Sequence, residues 1–129
     1  MTVVITKNPA YWAPGLLVLP DGDGTLAFEF RARFKRLPAS RQRDILDRLE
    51  RSRVETSQGR PPLIKDDELL AEVLCDWEGF RDADGKPVPY APASFKQACE
   101  DYFGLEAAFA RAYVKSAWPE QQRKEAEKN

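Results

Sequence analysis

Histidine is the one residue type with broad chemical use that this 129-residue sequence lacks altogether. Its absence removes the commonest general base of enzymes and the commonest metal ligand of proteins. The sequence also has neither a glycine-rich phosphate-binding loop nor the G-x-S-x-G motif of serine hydrolases. We therefore expect a protein that is not an enzyme and that has no catalytic residues and no cofactor.

Cysteine is almost as rare, with Cys75 and Cys99 as the two examples. Each falls on the predicted apolar face of a helix, which fits a buried thiol better than a disulfide or a metal ligand. We expect reduced, structural cysteines and no metal site, as is usual for proteins of the cytoplasm.

Long apolar runs are also missing. No stretch holds the roughly 18 uncharged apolar residues that a membrane-spanning helix needs, and no basic segment followed by an apolar run opens the chain. We therefore expect a cytoplasmic protein with no membrane partner. Hydrophobic residues make up 43% of the chain and its net charge is −1, which predicts one domain with a modest core.

An antiparallel β-hairpin is predicted within residues 1–36. Between residues 26 and 34 hydrophobic residues alternate with polar or charged ones, which is typical of a half-buried strand. Residues 16–19 are the predicted partner strand, joined through the turn sequence at residues 21–24. The rest of the first 20 residues should be irregular, because Pro9, Pro14 and Pro20 interrupt it. The apolar face of the second strand consists of Leu26, Phe28, Phe30, Ala32 and Phe34.

Four helices are predicted in residues 37–119. The first opens within residues 37–41, with Pro38 in its first turn or Ser40 as its N-cap. Its apolar stripe consists of Ile45, Leu46, Leu49 and Val54. The second runs from Asp66 through Trp77 and ends at Gly79, and two more follow Pro92 and Gly104. The expected fold is α+β, mainly helical, in a single domain over residues 1–119. Residues 120–129 are almost wholly polar and are expected to be disordered.

The charges are unevenly distributed. Residues 31–60 hold ten Arg or Lys against four acids, whereas residues 66–84 hold eight acids against Arg81. These segments either neutralise each other or form solvated faces, which is the simpler interpretation. Alternatively, the basic face of one copy meets the acidic face of the next, with Arg31, Arg33, Asp66 and Asp67 as self-association residues.

Two other binding functions deserve comparison. A nucleic-acid-binding regulator would use the basic residues of segment 31–60, but interspersed acids and a pI near 5.6 count against it. A calcium loop could be read into Asp82-x-Asp84-Gly85, yet Lys86 and Pro87 stand where further oxygen ligands should fall. We interpret that motif as a turn.

The aromatic residues Trp77, Phe80 and Tyr90 have two interpretations. They form part of the core, or they line the rim of an apolar groove for a helix of a partner protein. Because aromatic side chains provide much contact area at small entropic cost, they are our candidate partner-binding residues.

Three segments resemble the tail assembly chaperones of long-tailed bacteriophages. They are residues 34–46 (FKRLPASRQRDIL), 67–79 (DELLAEVLCDWEG) and 84–90 (DGKPVPY), within a similarity over about residues 25–118. The helix that ends in Asp-Trp-Glu-Gly before the Asp-Gly-Lys-Pro-Val loop is the most specific part. The final helix, rich in alanine and aromatic residues, also fits.

The resemblance implies a mainly helical phage or prophage protein of the host cytoplasm that is not an enzyme. It would hold the tape-measure protein soluble until tail-tube subunits assemble around it. It also implies self-association and a longer form of the same protein made by ribosomal frameshifting. The family supplies no residue-level binding motif, so Trp77, Phe80 and Tyr90 remain our own inference for client contact.

Overall fold

The computed structural model describes residues 9–118, which form a three-stranded antiparallel sheet and four helices. This confirms the predicted α+β fold with an N-terminal hairpin. None of the helices in this part of the chain is long and apolar enough to cross a membrane. In chain order the elements are β1 (Ala10–Asp21), β2 (Gly24–Lys35), α1 (Ala39–Ser57), α2 (Asp66–Val73), β3 (Leu74–Glu78), α3 (Pro92–Asp101) and α4 (Leu105–Ala117).

The first strand is much longer than predicted. β1 pairs with β2 over all twelve of its residues, from Ala10 opposite Lys35 to Asp21 opposite Gly24. Pro14 and Pro20 do not break it, because β1 is an edge strand and a proline there gives up no bond to the sheet. Gly22 opens the two-residue turn with φ of +58°, as glycine does in a type II′ hairpin turn.

Helix α1 begins at Ala39, within the predicted opening segment, with Pro38 rather than Ser40 as its N-cap, and its Ile45 is fully buried. Val54, predicted for the apolar stripe, is wrongly assigned, since it is 54% exposed. Ser52 takes the inward position instead: its hydroxyl donates to the Arg48 carbonyl oxygen and accepts from the Leu63 amide. The buried hydroxyl thereby joins the end of α1 to the connector that follows.

A bidentate ion pair ties α1 to α2. Arg41 donates from Nε and Nη2 to the two carboxylate oxygens of Glu72, at 2.7 and 2.8 Å. Arg41 also pairs with Asp44 one turn along its own helix. The forked geometry of guanidinium and carboxylate fixes the approach of the two helices.

The second predicted helix is wrong in its second half. It ends at Val73, and residues 74–78 form β3, which pairs with residues 31–34 of β2. A β-bulge at Cys75 inserts one extra residue, so that Leu74 and Trp77 both face the core although they are three residues apart. Helical spacing and a bulged strand therefore produce the same hydrophobic pattern. Cys75 accordingly lies on a strand, not on the predicted helix.

The core lies between the sheet and α4. Phe30 of β2 packs 4.4 Å from Phe109 of α4, and Phe34 packs edge-on against Tyr113 at 5.2 Å. At the end of the sheet where α4 finishes, the Tyr11 hydroxyl meets the Ser116 hydroxyl at 2.9 Å. The region predicted to be wholly helical, residues 37–119, thus also contains a strand, and the predicted disordered segment 120–129 lies outside the described residues.

Candidate protein-binding surface

Helix α4 covers part of the hairpin and leaves the rest bare. Twelve residues of strand extend about 40 Å, whereas the thirteen residues of α4 extend about 20 Å. Contacts fix the position of the helix, since Gly104 lies beside Leu17 and Ser116 reaches Tyr11. Residues 18–28, which we call the hairpin arm, therefore project past the start of α4.

The inner face of the arm exposes large apolar side chains. Leu26 is 47% and Phe28 48% exposed, although both stand in the same row as the buried Phe30. The turn before α4, whose Gly104 lies beside Leu17, the cross-strand partner of Phe28, presents Tyr102 at 48% and Phe103 at 95% exposure. Leu26, Phe28, Tyr102 and Phe103 together form what we call the arm patch.

The outer face of the arm region is apolar as well. Leu16 and Val18 are about half exposed there, opposite Glu29 and Ala27 of β2. Exposed apolar residues scattered singly are ordinary, whereas the clustered ones of the inner face, on a projecting element, are typical of an interaction surface. The arm is therefore the strongest candidate site in the described part of the chain.

The structure brings the three predicted partner-binding aromatics together. Trp77 stacks on Phe80 with ring centroids 4.2 Å apart and meets Tyr90 edge-on at 5.7 Å. Trp77 is only 5% exposed, and its Nε1 donates to the Val88 carbonyl oxygen at 2.7 Å. Of the two interpretations, Trp77 therefore takes the core position. Phe80 and Tyr90 are half-buried against it, and their contact with a partner stays a prediction.

The two arginines predicted for self-association lie on the outer face of β2. Arg31 is exposed, with its guanidinium carbon 5.6 Å from the Trp12 ring and its Nη1 3.9 Å from a Glu78 carboxylate oxygen. Arg33 is half-buried, and its Nε has no hydrogen-bond partner among residues 9–118. Both side chains thus lie on the same basic face of the sheet.

The two aspartates predicted to meet those arginines open α2. The pKa of Asp66 is raised, chiefly by burial and then by the Asp67 carboxylate, while Arg111 opposes the shift. No ion pair joins either aspartate to Arg31 or Arg33 within residues 9–118. The two aspartates and the two arginines therefore do not pair within one molecule, and ion pairs between them in neighbouring copies stay a prediction.

The acidic loop after β3 forms the predicted turn. The Asp82 carboxylate accepts from the amides of Asp84 and Lys86, both at 2.9 Å, and Gly85 has φ of +78°. The Asp82 carboxylate therefore already accepts two backbone hydrogen bonds within the turn. Residues 9–118 contain no group of three or more side chains placed to hold a metal ion.

Both thiols are free and half-buried. Burial raises the pKa of Cys75, and it raises that of Cys99 to about 11 with a smaller contribution from Glu106. A raised pKa leaves little thiolate at neutral pH, so neither side chain is a ready nucleophile.

The basic residues do not form one uninterrupted surface. Arg41 and Arg48 are paired with acids, and Arg36 lies 4.8 Å over the Tyr11 ring. Phosphate binding needs uncompensated positive charge, and part of this charge is compensated.

Sequence reasoning missed the exposure of Leu26 and Phe28, because alternation assigns them to the core side of the strand. The available signal was length: the alternating segment 26–34 would extend about 30 Å as a strand, which exceeds the about 20 Å of a thirteen-residue helix. Phe103 lies between the third and fourth predicted helices, next to Gly104, so no periodic pattern predicts whether it is buried or exposed.

The chain matches no protein-family model, no curated protein and no solved structure.

Proposed function

We propose that this chain is a phage or prophage tail assembly chaperone of the bacterial cytoplasm. It binds the tape-measure protein, keeps it soluble and helps to recruit tail-tube subunits, alongside a frameshifted longer form of itself. The proposal takes its identity from the resemblance of residues 34–46, 67–79 and 84–90. It needs no reaction, no cofactor, no nucleic acid and no membrane.

One structural observation supports the proposal most directly, the apolar surface of the hairpin arm. A chaperone that holds its client must cover apolar stripes of another chain and must therefore expose apolar surface itself. Phe28 on the hairpin arm is 48% exposed, and Phe103 in the turn before α4 is 95% exposed. Charged residues make up 32% of the chain, which keeps a protein with such a surface in solution.

The test is co-expression with the candidate client, a long helical protein whose gene we expect beside that of this chain. We expect the client to move from the pellet to the soluble fraction and to co-purify with this chain. A client that stays insoluble, or genomic surroundings without virion genes, would contradict the proposal. Salt-sensitive binding of the purified chain to DNA would support the nucleic-acid regulator instead.

A further inference from the structure

We propose that the inner face of the hairpin arm binds one short amphipathic helix of the partner, with Lys or Arg flanking its apolar stripe. The inference deepens the proposed function, and it rests on that function for the identity of the partner. Two observations support it: the exposed apolar side chains of the arm patch and the acidic residues near them.

The exposed side chains favour a partner that lies on the face of the sheet. Leu26 and Phe28 project from the face, so a strand added to an edge of the sheet would leave both of them in water. At the outer edge, Pro14 and Pro20 also remove two of the amides that strand pairing would use. Burying the arm patch therefore requires a chain segment placed across it.

A helix fits this place because a helix already occupies the other half of the same face. The part of the sheet that α4 covers and the arm share one face, on which Phe30 is buried and Phe28 is about half exposed. The bare part measures about 15 Å, which corresponds to about ten residues or three turns of helix. Phe103 precedes Gly104, which lies beside Leu17 at the boundary between the covered and the bare part of the face.

The charges around the arm patch select a basic partner. The tip of the arm carries Asp21 and Asp23, and residues 9–30 contain no Lys or Arg; the third acid of that segment, Glu29, lies on the outer face opposite Leu16. Glu100 and Asp101 precede the patch residue Tyr102 and add two more acids. None of the four acids near the patch forms an ion pair within residues 9–118. A helix with basic flanks would complement them, since opposite potentials speed encounter and exclude like-charged competitors.

The same charges disfavour a second copy of this chain as the occupant. Two arms stacked patch to patch would bring the acids near the patch of one copy, Asp21, Asp23, Glu100 and Asp101, towards those of the other. Like charges at such a contact oppose binding unless salt screens them. Self-association through the arm patch should therefore grow with salt, whereas binding of a basic helix should weaken with salt.

The experiment titrates the full chain against labelled synthetic peptides of about 14 residues and follows anisotropy. Three peptides serve as probes: one has a leucine stripe flanked by lysines, one has the same stripe flanked by glutamates, and one scrambles the stripe at constant charge. We expect the lysine-flanked peptide to bind at least about tenfold more tightly than either other at about 50 mM salt. Its advantage over the glutamate peptide should shrink at about 0.5 M salt. Its circular dichroism should become helical on binding.

Variants locate the binding surface. Phe28→Ser should weaken the lysine-flanked peptide by about tenfold or more, as loss of a central aromatic anchor does. Val18→Ser is the matched control, because Val18 is equally exposed on the opposite face of the arm. Phe103→Ser provides a second test at a fully exposed position, should Phe28→Ser fail to fold. Asp21→Asn with Asp23→Asn should weaken binding at low salt only.

Several outcomes would overturn the inference: equal binding of the scrambled or glutamate peptide, an extended bound peptide, or equal losses from Val18→Ser and Phe28→Ser. Dimerisation that grows with salt and is lost in Phe28→Ser would assign the patch to a second copy. If Phe28→Ser still solubilises the client, the arm inference fails while the proposed function stands. If the lysine peptide binds but no client is solubilised, the proposed function fails while the arm inference stands.

Discussion

The aromatic ring of Phe30 on β2 lies directly across the backbone of Gly15 on β1. The two residues are cross-strand partners, and a Cβ at Gly15 would overlap Cε2 and Cζ of the ring and lie 2.9 Å from Cδ2. The ring is held from its other side, since Phe109 and Phe80 pack 4.4 and 5.7 Å away. Because Gly15 has no side chain, the Phe30 ring fits against β1 and packs with the aromatic residues of α4 in one cluster.

Gly15→Ala should destabilise the fold by about 1–3 kcal/mol, because the buried ring has nowhere to move without straining its neighbours. Urea denaturation followed by fluorescence measures this loss. Gly24→Ala is the control: its nearest neighbour would be the Asp21 carbonyl oxygen at an ordinary 3.8 Å. We expect that control to change stability by less than about 0.5 kcal/mol, and equal effects of the two substitutions would refute the packing argument.

Trp77→Ala should cost about 3–5 kcal/mol, since it empties a buried site against four other aromatic rings. Trp77→Phe keeps most of the packing but leaves the Val88 carbonyl oxygen without its donor, which should cost about 1 kcal/mol or somewhat more. Thermal unfolding followed by circular dichroism distinguishes the two. Phe103→Ala, at 95% exposure, should leave the melting temperature nearly unchanged. A Trp77→Ala protein as stable as the wild type would show that this ring is not part of the core.

The Arg41–Glu72 pair predicts a loss of stability in acid. Arg41 donates to both carboxylate oxygens and lowers the pKa of Glu72 below its ordinary value of 4.5. A lowered pKa stabilises the fold above the unfolded-state pKa, and this stabilisation disappears as pH falls below 4.5 through the folded-state value. Urea titrations from neutral pH downward should show wild type and Glu72→Gln converging in stability. A constant difference would contradict the prediction.

Glu106 provides a control of opposite sign. Burial, followed by repulsion from Asp67 and Asp66, raises its pKa above 4.5. The charged form is therefore disfavoured in the folded chain, so that stability rises as pH falls through the raised folded-state pKa. Relative to Glu106→Gln, the wild type should gain stability on acidification, in the pH range just above 4.5. The two glutamates should thus show opposite slopes in the same measurement.

Cys99 should react slowly with iodoacetamide. Its pKa of about 11 leaves very little thiolate at mildly alkaline pH, and half of the side chain is covered. Allowing for the greater nucleophilicity of a more basic thiolate, alkylation should be at least about tenfold slower than in the urea-unfolded chain. Peptide mass spectrometry reports Cys75 and Cys99 separately. Equal rates in folded and unfolded protein would contradict the assigned burial.

The hairpin shows how far local pattern reaches. The alternation around Phe30 and the Gly22 turn predict two antiparallel strands, and the structure confirms them. Pattern also predicts strand breaks at Pro14 and Pro20, and here it is wrong. Whether a proline is tolerated depends on which edge of the strand is paired, and pairing is a property of the whole sheet.

The segment that ends at Glu78 shows the opposite limit. Leu70, Val73, Leu74 and Trp77 follow helical spacing, so local reasoning extends the helix through Trp77. The open edge of β2 beside residues 31–34 offers backbone hydrogen bonds to a strand, and the bulge at Cys75 keeps Leu74 and Trp77 pointing inward. Tertiary pairing therefore overrides local preference.

The sequence by itself determined the α+β composition, the turn at Gly22, the helix starts near Pro38 and Pro92, and the absence of histidine chemistry. Each follows from bond geometry or side-chain chemistry within a few residues. Only the tertiary structure decided that Trp77 is buried and that Phe28 is about half exposed, although both belong to apolar patterns. Burial depends on which elements cover which part of the sheet, and α4 is too short to cover the hairpin arm.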